Sequence, residues 1–144
     1  MRYFILSAIM ALITNVAWAE IGLISGDWIT QDEDAKIQIA DCGDGTPCGT
    51  LVWVDPTAPG GGLDAENRET SLRSRSLIGL EIISGYEKRK GTWRNGRIYN
   101  PQDGKTFRSS LQLRSDNKLI VKGCLGPICR SNTWTRSSTQ TGAS

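Results

Sequence analysis

Apolar and polar residues alternate along this chain with a period of two, in short runs separated by turn residues. The clearest run sets Phe107, Ser109, Leu111 and Leu113 against Arg108, Ser110, Gln112 and Arg114. That alternation is the signature of a strand with one buried and one wet face. It belongs to a hairpin that begins near Gly91. Asn100-Pro101 opens the turn, because proline presets φ and cannot donate to a ladder, and Asp103-Gly104 closes it. Further strands are predicted at 26–30, 35–40, 49–54, 77–83, 118–122 and 132–136. Leu51-Val52-Trp53-Val54 is apolar on both faces, which predicts a more deeply buried strand than its neighbours. Eight short strands with tight connections predict an all-β fold. An eight-stranded antiparallel up-and-down barrel disposes of the two exposed edges by closure.

One long interruption runs from 55 to 75. Pro56, Pro59 and Gly60-Gly61-Gly62 break regular structure, and 64–69 is predicted to start a short helix with Asp64 as its cap. The triple glycine lacks the helix signature and the Lys-Ser/Thr of a phosphate cradle, so it reads as a flexible turn. The loop also carries Asn67, Arg68, Arg73 and Arg75. Loops of this length in compact domains are usually functional or disordered.

The amino terminus follows different rules. Arg2 precedes an apolar run over 4–16, and Ala17-Trp18-Ala19 has the small-x-small pattern of a signal-peptidase site. The run is shorter than the roughly 20 apolar residues of a membrane-spanning helix. The expected organisation is a cleaved signal peptide over 1–19, a single β-barrel domain over 20–137 and a flexible tail over 138–144. The protein is therefore expected to be exported, to the periplasm or beyond the cell.

Charge excludes more than it suggests. With 17 basic and 15 acidic residues the chain is close to neutral. Lys88-Arg89-Lys90 reads as a solvated turn, so nucleic acid, which needs a concentrated positive surface, is a poor partner. There is no histidine. That removes Ser-His-Asp and Cys-His nucleophile systems and most catalytic zinc sites.

Four cysteines in an exported chain point to disulfides. Three pairings are open. The two local ones, Cys42–Cys48 and Cys124–Cys129, are favoured because each brackets a turn-rich loop. A four-cysteine zinc site fits poorly, since the first spacing is too wide. No metal and no cofactor is expected.

Gly26-Asp27-Trp28 near the first strand, with Arg136 two residues after Trp134 on the last, resembles the lipocalin arrangement. There a Gly-x-Trp tryptophan closes one barrel end beneath a carboxy-terminal arginine, a favourable cation–π contact. A broader resemblance is to the bacterial exported family called domain of unknown function 2147. It rests on Gly26-Asp27-Trp28, Cys42 to Cys48-Gly49 with Leu51-Val52-Trp53, and Asn67 leading to Arg73-Ser74-Arg75-Ser76-Leu77 and Gly79-Leu80. It continues with Trp93, Gly96, Ile98-Tyr99-Asn100-Pro101, Asp103-Gly104-Lys105-Thr106, Leu119, Val121, Gly123 and Trp134-Thr135-Arg136. Asn100 stands where the family often has aspartate, and Phe107 where tyrosine is usual. The resemblance implies a small lipocalin/calycin-like barrel and no established reaction.

An eight-stranded barrel is packed solid or holds one small ligand. The candidate ligand-binding residues are Trp53, Asn67, Arg73, Arg75, Trp93 and Tyr99, and the candidate closure residues are Gly26, Trp28, Trp134 and Arg136. For Arg73 and Arg75 the alternative is pairing with Glu66, Glu69 or Glu81. The leading expectation is a non-catalytic binding module, its partner a small molecule or an envelope protein. The alternative is an envelope interaction protein with a solid barrel. A carboxylate-based hydrolase on Glu66, Glu69 or Glu81 ranks last, because no spacing marks two of them as an acid/base pair.

Overall fold

The structure is a computed structural model that describes residues 16–138. The expected leader lies largely outside these residues, as does the tail from 139 onward. A short helix, α1 (Val16–Ile24), leads into strands β1 (Gly26–Ile29), β2 (Ala35–Asp41), β3 (Pro47–Val54) and β4 (Glu81–Ser84). They are followed by β5 (Glu87–Arg89), β6 (Thr92–Asn100), β7 (Lys105–Ser115), β8 (Lys118–Leu125) and β9 (Ile128–Arg136). Each strand pairs antiparallel with the next around the sheet. β1 meets β9 through Trp28 and Arg136, and β4 meets β6 through Ile83 and Ile98, so the barrel closes.

The additional strand is an interrupted stave. Ile83 pairs with Ile98 and Ser84 with Arg97; beyond the break, Glu87 pairs with Arg94 and Lys88 with Trp93. One register runs through both, so β4 and β5 are halves of one strand broken at Gly85-Tyr86. The Tyr86 ring lies directly against Gly96 of β6, where any Cβ would collide with it. Lys88-Arg89-Lys90, read from sequence as a turn, thus splits. Lys88 and Arg89 belong to β5, and Lys90-Gly91, both with positive φ, make the two-residue turn into β6.

Three further expectations change. The predicted strand 77–83 begins four residues later, because Leu77 bonds back to Gly62 and Gly79 adopts a positive φ. No helix forms over 64–69; a short 3₁₀ turn at Thr70–Leu72 takes its place. Asp64 is drawn into side-chain bonds with distant residues and does not cap anything. Finally, β3 is not buried on both faces. A register shift at Lys36/Ile37 accompanies an outward Trp53, which is 37% exposed.

The dense core fills one end of the barrel. Trp28, Ile37, Ile39, Ile83, Leu111 and Leu119 are fully buried, each contributing roughly 1.5–3 kcal/mol of transfer free energy. Ile21 and Ile24 of α1 join this cluster, and both lie after the expected cleavage point. The structure forms both local disulfides, Cys42–Cys48 on the β2–β3 turn and Cys124–Cys129 on the β8–β9 turn. Among the described residues no helix is long and apolar enough to cross a membrane.

Candidate functional site

The α1 end is shut. Trp28 is 0% exposed, and its indole Nε1 donates to the Ile24 carbonyl at 2.9 Å. The Arg136 guanidinium lies 4.3 Å from the indole centroid, a stacked cation–π pair. It also donates to three carbonyls, those of Asp116 (2.7 Å), Ser25 (2.8 Å) and Leu23 (2.9 Å). One side chain therefore ties the β7–β8 turn, the α1 segment and β1 together. Gly26 gives it room, since a Cβ there would sit 3.0 Å from the guanidinium.

The opposite end is open. It holds a cavity of about 990 Å³, at the upper end of the range for small-molecule sites. Most of its wall is apolar: Ile37 and Leu51 from β2 and β3, Ile82 and Ile98 from β4 and β6, Phe107 and Val121 from β7 and β8. Trp134, buried on β9, bounds it toward the closed end. The mouth is ringed by the β1–β2 turn, the long loop, the β6–β7 turn and the disulfide-closed β8–β9 turn. Leu63, Leu125 and Ile128 project there, with Ile128 70% exposed.

The long loop is held over this mouth by a network that sequence reasoning did not centre correctly. Its hub is Asp64, which is fully buried. Its carboxylate accepts hydrogen bonds from Tyr99 Oη (2.6 Å), Asn67 Nδ2 (2.8 Å) and Arg75 Nε (2.8 Å). Arg75 completes an ion pair with it, and Arg73 Nε donates to the Asn67 carbonyl at 2.7 Å. Burial alone would raise the Asp64 carboxyl. The bonds from Tyr99, Asn67 and Arg75, with the arginine's charge, outweigh burial and hold it below the ordinary carboxylate range. Tyr99 is pushed up to about 12 by burial and by its bond to, and the charge of, Asp64. The β6–β7 turn packs against the same loop. Gly104, at φ 68°, leaves no room for a Cβ beside the Glu66 carbonyl.

The candidate binding residues therefore divide. Asn67, Arg75 and Tyr99 converge on Asp64, and Arg73 bonds the Asn67 carbonyl beside them. The Nε groups of both arginines, the Asn67 amide and the Tyr99 hydroxyl thus serve to hold the loop. Of these four only Tyr99 also lines the cavity. Trp53 stands on the outer face. Trp93 is 4% exposed in the core, with the Lys88 ammonium 4.8 Å from its ring centroid. Neither tryptophan lines the cavity. Glu66, Glu69 and Glu81 are exposed, and neither Arg73 nor Arg75 forms an ion pair with them. Among the described residues no cluster of three or more metal-ligating side chains forms. The sequence signal missed was Asp64 itself, whose separation from Arg75 and Tyr99 along the chain hid their meeting.

No curated protein matches the chain. Among solved structures it is similar to a protein from the human pathogen Helicobacter pylori, HP1028, described as belonging to the lipocalin family. The two share 22% identity over 79% of this chain and 82% of that one, with a TM-score of 0.67, a likeness of fold. The sequence profile of a family described as an uncharacterized protein conserved in bacteria matches residues 26–136, from the glycine before Trp28 to the arginine stacked over it. The chain thus belongs to that family, domain of unknown function 2147.

Proposed function

We propose that this protein is an exported, non-catalytic carrier or sensor that binds one small, largely apolar ligand in the open half of its barrel. The observation that carries this reading is the cavity of about 990 Å³ with its aliphatic and aromatic walls. A solid-packed interaction barrel would have filled that space, as the closed half is filled. The two disulfides fit an oxidising compartment, and the amino-terminal apolar run with its Ala-Trp-Ala site supports export to the periplasm. The lipocalin-family fold of the Helicobacter pylori protein supports a ligand-holding barrel.

Native mass spectrometry of the mature protein, purified from its own envelope with disulfides intact, tests the reading. A co-purifying small mass lost on unfolding is expected. Failure of any apolar ligand to bind the purified protein would overturn the proposal.

A further inference from the structure

The inner wall of an up-and-down barrel is apolar by default, and β9 departs from that pattern. Its inward positions are Trp134, Asn132, Arg130 and Ile128, all of them at the cavity wall. Asn132 and Arg130 remain exposed although they face inward, because the space beside them is open. Gly123 of β8 is the cross-strand neighbour of Arg130 and presents no side chain toward it. Lys105, the first residue of β7, adds a second cation at the mouth.

These cations have no structural use. Among the described residues the ion pairs are Arg75–Asp64 and Arg89–Glu87, and neither Arg130 nor Lys105 has a side-chain partner. The contrast with Arg136, six residues along the same strand, is direct: there all three guanidinium nitrogens are bonded. Carboxylates also ring the mouth, at Asp32, Asp34, Glu66 and Asp103, but they sit on the turns and the long loop. Two of them are already engaged. Asp34 accepts from Thr30 and Gln102, and Asp103 from the Lys105 backbone N–H. An unpaired guanidinium on a rigid strand, above an apolar chamber, is an arrangement that recognises an anion by charge-assisted hydrogen bonds.

Building on the cavity reading above, we infer that the ligand is a single-chain amphiphile with an anionic head group. Its chain lies between the Ile98/Phe107 and Leu51/Ile82 walls, and its head is held by Arg130 with Asn132 and Lys105. Carboxylate and phosphate monoester heads share the required chemistry.

Isothermal titration calorimetry of the mature protein with four twelve-carbon probes tests this: dodecanoate, dodecyl phosphate, dodecanol and dodecylammonium. Dodecanoate or dodecyl phosphate should bind about tenfold more tightly than dodecanol, the gain of one charge-assisted contact. The tighter of the two identifies the head group. Arg130→Gln should abolish that preference while leaving dodecanol within about twofold of its original affinity, which also shows that the variant is folded. Equal or tighter binding of dodecylammonium, or an acid preference that survives in Arg130→Gln, would overturn the assignment while leaving the cavity reading intact. If none of the four binds, including dodecanol, the cavity reading falls and takes this inference with it.

Discussion

The closed end of the barrel fits each inward side chain to a neighbour. Trp28 is covered by Arg136, Arg136 spends its three nitrogens on carbonyls, and Ile21 and Ile24 fill the remaining gap. The open end keeps the same strands in register but leaves the inner face unfilled, with polar groups placed along it and a long loop tethered across the mouth. The same ladder therefore supports two different jobs. Stability is concentrated where the interior is full, and a cavity is tolerated where the loop and turn are held by a few polar anchors. Their separate responses to mutation are the way to test this division.

The largest effect is expected at the closed end. Trp28→Ala removes a fully buried indole together with its bond to Ile24 and its stacked guanidinium, and should cost about 3–5 kcal/mol in urea unfolding. Phe107→Ala at the open end deletes a half-buried ring that already borders empty space, and should cost about 1 kcal/mol or less. Equal losses at the two sites would break the division. Next in size is Asp64→Asn, which turns an acceptor of three bonds partly into a donor facing donors. A loss of about 2–3 kcal/mol is expected, moderated because Arg75 is partly exposed. The loop should become the first site of proteolysis, while amide protection in the closed half persists.

The disulfides sharpen the contrast, because there is one at each end. Each closes a loop of five or six residues, and replacing either pair with serines should cost about 2 kcal/mol or less in the chain-entropy account. Loss of Cys124–Cys129 should also weaken ligand binding, since it frees the turn carrying Leu125 and Ile128 at the mouth. Loss of Cys42–Cys48 should leave binding unchanged. Titration of both variants with dodecanol separates the two effects.

What the sequence disclosed follows the same line. The closed end was legible because its determinants are local or near the termini: Gly26-x-Trp28, Trp134-x-Arg136 and the alternation of β7. The hairpin at 100–104 was legible because turn chemistry is written in adjacent residues. The rest of the open end, where that turn lies, was not. Asp64 meets Tyr99 across 35 positions, and a capping role was the nearest explanation a linear reading offered for it. Trp53 and Trp93 looked like cavity aromatics because composition does not report which way a strand faces after a register shift. Arg130 carries no signal in the sequence, since one arginine in a strand is ordinary until the strand's inner face is known to border open space.

Within the loop anchor, a smaller loss than that of Asp64→Asn is expected from removing a single hydroxyl. Tyr99→Phe removes the hydroxyl that donates to Asp64 and accepts from Asn67 Nδ2 at 3.2 Å, and should cost about 1–2 kcal/mol at neutral pH. Its pH dependence carries more information than its size. In the folded protein Tyr99 titrates at about 12, above its ordinary value of about 10. The unfolded chain therefore loses this proton first, and the tyrosine's contribution is complete below about pH 10 and lost as pH rises through about 12. Asp64 has the opposite sign. Its carboxyl is held below the ordinary value of about 3.9, so its contribution is present above that pH and lost as pH falls through the folded pKa. Urea unfolding across pH 2–11 should show both losses in the native protein. Tyr99→Phe should flatten the alkaline decline in part, because the buried Tyr86, also raised, still contributes to it. Asp64→Asn should flatten the acid decline. A Tyr99→Phe profile parallel to the native one at every pH would mean that the loop is held without this hydroxyl. The open end would then depend on Arg75 and Asn67 alone.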